Sequence, residues 1–151
     1  MTELRSHILA RVAYERVTAR KEAPFKQEYG ALAHKFPGMI LQNGLAQATG
    51  FLLAKGAATD KLGRLKDPEH YALLDDLLAL LHTLGASHAM DRTQLHEQII
   101  AADLATTLLL TRRALEASSW MKRYVQGALG INTTGDENEP EGANEPEEVG
   151  P

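Results

Sequence analysis

The chain has no cysteine among its 151 residues. That one absence removes disulfide frameworks, thiolate zinc sites, iron–sulfur clusters and cysteine nucleophiles together. Aromatic residues are scarce, at 5% with a single tryptophan, too few for a platform that reads bases by stacking. Long apolar runs are missing as well: none approaches the ~18 residues that a membrane span needs. Glu3 and Arg5 interrupt the stretch where a signal peptide would place its apolar core. The default expectation is a cytoplasmic, soluble protein with no membrane partner. At this length one domain is expected, able to bury a core without metal or disulfide staples.

Positive charge also looks deficient, with 16 Lys and Arg against 20 Asp and Glu and a net charge of -4. The distribution changes that impression. Residues 135–151, GDENEPEGANEPEEVGP, hold seven of the acids, no base and almost no apolar side chain. Such a composition cannot bury enough surface to offset its ordering entropy, which predicts a disordered acidic C-terminal tail. Residues 1–134 then form a single helical domain with 16 bases against 13 acids, a net of +3.

Hydrophobic spacing is helical throughout, and no stretch alternates as a strand would. A first helix is expected over residues 2–22, with Thr2 or Ser6 as cap, and a second from about 24 to 35, ended by Pro37 and Gly38. The third segment, 39–55, is apolar nearly all round and reads as a helix in the middle of a bundle. Gly44 and Gly50 within it suit close approach of another backbone. Asp67, Pro68 and Glu69 form a helix start, followed by a leucine-rich face with Asp75, Asp76 and His82 opposite and Gly85 at the end. Asp91 starts a fifth helix to about 101, and Asp103 a long last one ending near 128. The predicted fold is all-α, an irregular bundle of about six helices.

Catalytic patterns are not found. Asp75 and Asp76 are adjacent and so point about 100° apart on a helix, which prevents them from sharing one substrate and suits a solvated face. His96 and Glu97 begin like HExxH, but position 100 is isoleucine. No two histidines fall at i, i+4 on one helix. Nucleophile elbow and P-loop spacings are missing too. No cofactor, metal ligand or catalytic residue is expected.

The cations are more informative. On the last helix Arg112, Arg113, Trp120 and Arg123 share an arc of about 100°, opposite Leu104, Leu108, Ala114, Leu115, Met121, Val125 and Leu129. Guanidinium groups hold phosphates bidentately, and an indole stacks on a base or packs a partner's side chain. Equally, Trp120 packs beneath a neighbouring helix and the arginines are solvated. Glu116 lies in the same arc. On the first helix Arg5, Arg16 and Arg20 cluster within about 60°, with Leu9 and Val12 in the same sector. With Lys21, Lys26, Lys35 and Lys55 they suit a surface that binds nucleic acid without sequence preference.

The order of two motifs adds to this. The run KFPGMILQNGLAQATGFLLAK, residues 35–55, places Pro37, then Gly44 and Leu45, then Phe51 and Lys55. Residues 108–124 close with Trp120, Met121, Lys122 and Arg123. Together these resemble the small subunit of the type III-B CRISPR RNA-guided effector, the Cmr complex, over roughly residues 5–128. The resemblance implies a non-catalytic subunit of an antiviral ribonucleoprotein. Copies would stack head to tail beside the other Cmr-complex subunits and hold the guide RNA and target RNA through their phosphates. Target cleavage would fall to a neighbouring backbone subunit. The expected RNA contacts are Lys55, Arg112, Arg113, Lys122 and Arg123, followed by Arg16, Arg20 and Lys21. The acidic tail lies outside the family pattern, and residues 57–90 carry nothing over. The competing reading is a helical protein-interaction adaptor anchored on Trp120, with no RNA role.

Overall fold

A computed structural model describes residues 4–132. Six helices are present among them: α1 (Arg5–Thr18), α2 (Lys26–Asn43), α3 (Leu45–Ala57), α4 (Pro68–Thr83), α5 (Arg92–Ala101) and α6 (Leu104–Gly127). The all-α expectation holds for the described residues. The expected tail falls outside them, as does Thr2 as a cap. Leu4 occupies the α1 N-cap and offers no side-chain bond. Asp91 and Asp103 do cap α5 and α6, accepting from Gln94 N and Thr106 N, each at 2.8 Å. Asp67 holds the N-cap of α4 without a side-chain capping bond.

One boundary moves. Pro37 and Gly38 do not end the second helix, which runs through them to Asn43. An internal proline costs about 3 kcal/mol, but stopping there would strip Met39 and Ile40 from the core, where Ile40 is buried and Met39 packs against it. Burying two such side chains contributes about 1.5–3 kcal/mol each, so continuation wins. The break falls instead at Gly44, whose φ of 85° and ψ of 158° suit a residue without Cβ. Its N–H still donates to Ile40 O at 2.9 Å and its carbonyl accepts from Ala48 N at 3.1 Å, so one residue joins two closed helices.

The element at the centre also differs from expectation. It is α4, not α3, that touches each of the other five helices. Its Leu73, Leu74, Leu77, Leu80 and Leu81 are fully buried. Helix α3 lines one side, burying Leu45, Ala48, Thr49 and Leu52 while Gln47, Phe51 and Lys55 remain exposed. Gly50 faces the His96 side chain of α5 rather than a backbone. Beyond α6 the chain doubles back through Gly130, at φ 68°. Ile131 N donates to Val125 O at 3.1 Å, Ile131 is buried, and its carbonyl lies 3.0 Å from His34 Nε2. The side chain presses on Gly30 of α2, where a Cβ would lie 2.6 Å from Ile131 carbons.

Candidate functional site

Helix α1 runs parallel to α6, so Arg5 meets Glu116 and Tyr14 meets Tyr124. Between them opens a groove of about 550 Å³ lined by Leu4, Arg5, Ser6, Glu116, Ser119, Trp120 and Arg123. Glu116 is shared: Arg5 Nε lies 3.4 Å from one oxygen, and Arg113 donates to the other at 3.0 Å. Arg112 is exposed and forms no ion pair among the described residues. Arg123 is exposed and rests its guanidinium 4.9 Å from the Trp120 ring centroid. One carboxylate therefore pairs with two arginines, while Arg123 lines the groove with no carboxylate partner among the described residues.

Trp120 combines both readings open to the sequence. Its ring is half-buried and stacks on Tyr124 at 5.7 Å between centroids, and Tyr124 in turn meets Tyr14 edge-on at 5.3 Å. These three rings glue α6 to α1. With Arg123 packed on it as well, the indole is a wall of the groove rather than a free stacking platform.

The remaining candidate cations are scattered. Lys122, half-buried, lies beside Arg123 on α6. Lys55 is exposed at the end of α3, a helix that touches α6 only marginally. Lys21 is exposed in the turns after α1. Arg16 and Arg20, neighbours of Arg5 on the helical wheel, are drawn to another partner. Arg16 reaches Asp76 Oδ1 through Nε and Nη2 at 2.8 Å each. Arg20 binds both Asp76 oxygens, at 3.1 and 2.8 Å, and donates to Ala72 O at 3.3 Å.

Asp76 corrects the solvated-face expectation. It is 0% exposed and also accepts from the Tyr29 hydroxyl at 2.6 Å. Burial disfavours the Arg20 charge, but hydrogen bonding and attraction to Asp76 outweigh it and raise the Arg20 pKa. Burial, followed by the Asp76 charge, pushes the Tyr29 hydroxyl well above its ordinary value. The two acids do diverge as their adjacency requires: Asp75 leaves the core and binds Arg92 at 2.6 and 2.8 Å. The signal for Asp76 was the breadth of the α4 leucine arc, which leaves almost no solvent face.

One further surface bears on function. Ile100, Leu104, Leu108 and Leu109 are exposed by 45–76% across the end of α5 and the first turns of α6. Leu104 and Leu108, expected to lie in the buried arc, are thus at the surface, because that arc meets the core only from Leu110 onward. Among the described residues no group of three His, Asp or Glu could hold a metal ion, and no helix is long and apolar enough to cross a membrane.

A family model described as CRISPR-associated protein (Cas_Cmr5) matches residues 5–128. Among characterised proteins, the chain is 32% identical over 125 residues to the CRISPR system Cmr subunit Cmr5 of Thermus thermophilus, covering 83% of this chain and 96% of that protein. Among solved structures, it is similar to the crystal structure of a CRISPR-associated Cmr5 family protein from the same species. The TM-score is 0.66 at 32% identity, over 83% of this chain and 97% of that one. The matched span takes in all six helices and stops before the acidic segment.

Proposed function

The chain belongs to the Cmr5 family of CRISPR-associated proteins, and from that premise we propose that it is a non-catalytic, RNA-holding subunit of a Cmr ribonucleoprotein in antiviral defence. The observation that carries the RNA role is the face of α6 at this groove, where Arg123 in the groove and Arg112 about three turns along are exposed while Glu116 is shared by Arg5 and Arg113. Guanidinium groups that are not engaged by carboxylates are available to phosphate oxygens. Lys122, adjacent to Arg123, points about 100° away from that strip and is a secondary contact. Lys55 and Lys21 are secondary contacts on other faces. Arg16 and Arg20 rank last, because Asp76 holds both and leaves their side chains 39% and 22% exposed. The exposed leucines of the α5–α6 corner support head-to-tail stacking of copies, since apolar patches of this kind mark protein contacts.

Binding through phosphates requires affinity to fall with salt, by roughly 0.7 in log affinity per neutralised phosphate for each tenfold rise in salt on single-stranded RNA. The test is fluorescence anisotropy of a labelled 20-nucleotide uridine RNA with the full chain and with Arg112→Glu/Arg123→Glu. The double variant is expected to bind at least about tenfold more weakly while retaining its helical circular dichroism. Salt-independent affinity, or a double variant with native affinity, would refute the reading and favour the protein-interaction adaptor. For stacking, Leu104→Ser/Leu108→Ser should lower the mass seen by light scattering at high protein concentration. Unchanged assembly would remove that surface from the proposal.

A further inference from the structure

The basic groove has a candidate occupant within the same chain. Ile131 is bonded to Val125 and packs on Gly30 and His34 of α2, so the described chain ends level with the last turns of α6, on the side of that helix turned toward α2. Five residues after Ile131 the acids begin: Asp136, Glu137, Glu139, Glu141, Glu145, Glu147 and Glu148, with no base among them. From Arg123 to Arg112 the helix spans only about 17 Å, whereas residues 136–148, if extended, cover about 40 Å. The five residues from Ile131 to Asp136 span about 17 Å if extended, enough to pass around a helix about 10 Å across and bring the acids to the groove. Charges complement as well: Arg5 and Arg123 line the groove, Arg112 and Arg113 lie on the same arc of α6, and among the described residues the only acid lining it is Glu116, already paired with Arg5 and Arg113. Tethering at such short range gives an effective concentration in the millimolar range, enough for weak ion pairing to be populated at low salt.

We propose that residues 136–148 dock on the α1–α6 groove as a tethered polyanion and compete there with other polyanions. The docking stands on charge and reach alone, while its consequence for RNA rests on the function proposed above. A carboxylate-rich segment presents oxygens at spacings that arginines accept as they accept phosphate, and no fixed secondary structure is needed for such pairing. Binding of RNA would then require displacement of the acids, a cost that disappears when high salt screens both interactions.

The test compares the full chain with a full-length variant carrying Asp136→Asn and Glu→Gln at the six glutamates of the segment. In ¹⁵N NMR spectra at 50 mM salt, docking predicts shift differences concentrated at Arg5, Ser6, Arg112, Ser119, the Trp120 indole and Arg123. These should be independent of protein concentration and should collapse at 1 M salt. The same neutralisation should tighten binding of the 20-nucleotide uridine RNA by about tenfold at 50 mM salt, with the gap closing as salt rises. Spectra that coincide up to Asn132, or differences that cluster on another face, would overturn the docking. Groove-centred differences without any gain in RNA affinity would support docking and overturn competition. If neither chain binds RNA, the function proposed above fails, and the spectra still decide the docking.

Discussion

Two arginines and a tyrosine converge on one carboxylate at Asp76, with contacts of 2.6 to 3.1 Å. Breaking a buried ion pair by removing one partner is more costly than never having built it, because the remaining polar groups lose their compensation. Asp76→Ala should therefore lower unfolding free energy by about 3 kcal/mol in urea titration, with the α1–α4 contact loosening first. Tyr29 adds a pH dependence. Its folded pKa lies above its ordinary value, so between the two values the native state keeps a proton that the unfolded chain has released. Stability from this group is complete below about pH 10 and declines as pH rises beyond it. Urea midpoints measured from pH 8 to 11 should fall in the native chain and fall less steeply in Tyr29→Phe.

Glycines distinguish the elements. Gly38 is exposed within α2, and a Cβ added there meets nothing within 4 Å. Gly38→Ala should stabilise the chain by about 0.5–1 kcal/mol through lost freedom in the unfolded state. Gly44 is the hinge between α2 and α3 at positive φ, where an L side chain is strained, so Gly44→Ala should cost about 2 kcal/mol. Thermal melts of the two variants should move in opposite directions. The α6 cap behaves differently again. Hydrogen bonds from the backbone and side chain of Thr106 hold the Asp103 carboxyl below its ordinary pKa. Its contribution is present above the unfolded value near pH 4 and is lost as pH falls through the folded one. Asp103→Asn should keep the cap geometry and flatten the acid limb of the stability curve.

Over the whole molecule, the last described residues act as a latch. Ile131 is fully buried against Gly30 and His34, which ties the far end of α6 to α2. Gly30→Ala would drive a Cβ into Ile131, an overpacking worth about 1–3 kcal/mol. Hydrogen exchange at the Ile131 amide should accelerate more than at core amides of α4.

Much of this was legible in the residues. Helical periodicity, Asp91, Asp103 and the Pro68 start marked elements that the structure retains, and the motifs over residues 35–55 and 120–123 pointed to the family. Local chemistry sufficed there, because caps and periodicity act within one or two turns. Pro37 misled, since its local cost is exceeded by the packing of Met39 and Ile40 on the core, and packing depends on distant residues. Asp76 misled for a related reason: charge favours solvent until other helices bring partners to it. Arg5, Arg16 and Arg20 share one side of a helical wheel, yet Glu116 of α6 takes the first and Asp76 of α4 takes the other two. Sequence determined which helices form and how much positive charge they carry. Only the packing of those helices decided which cations are neutralised inside the fold and which remain exposed, because a charge is satisfied by its neighbours in space.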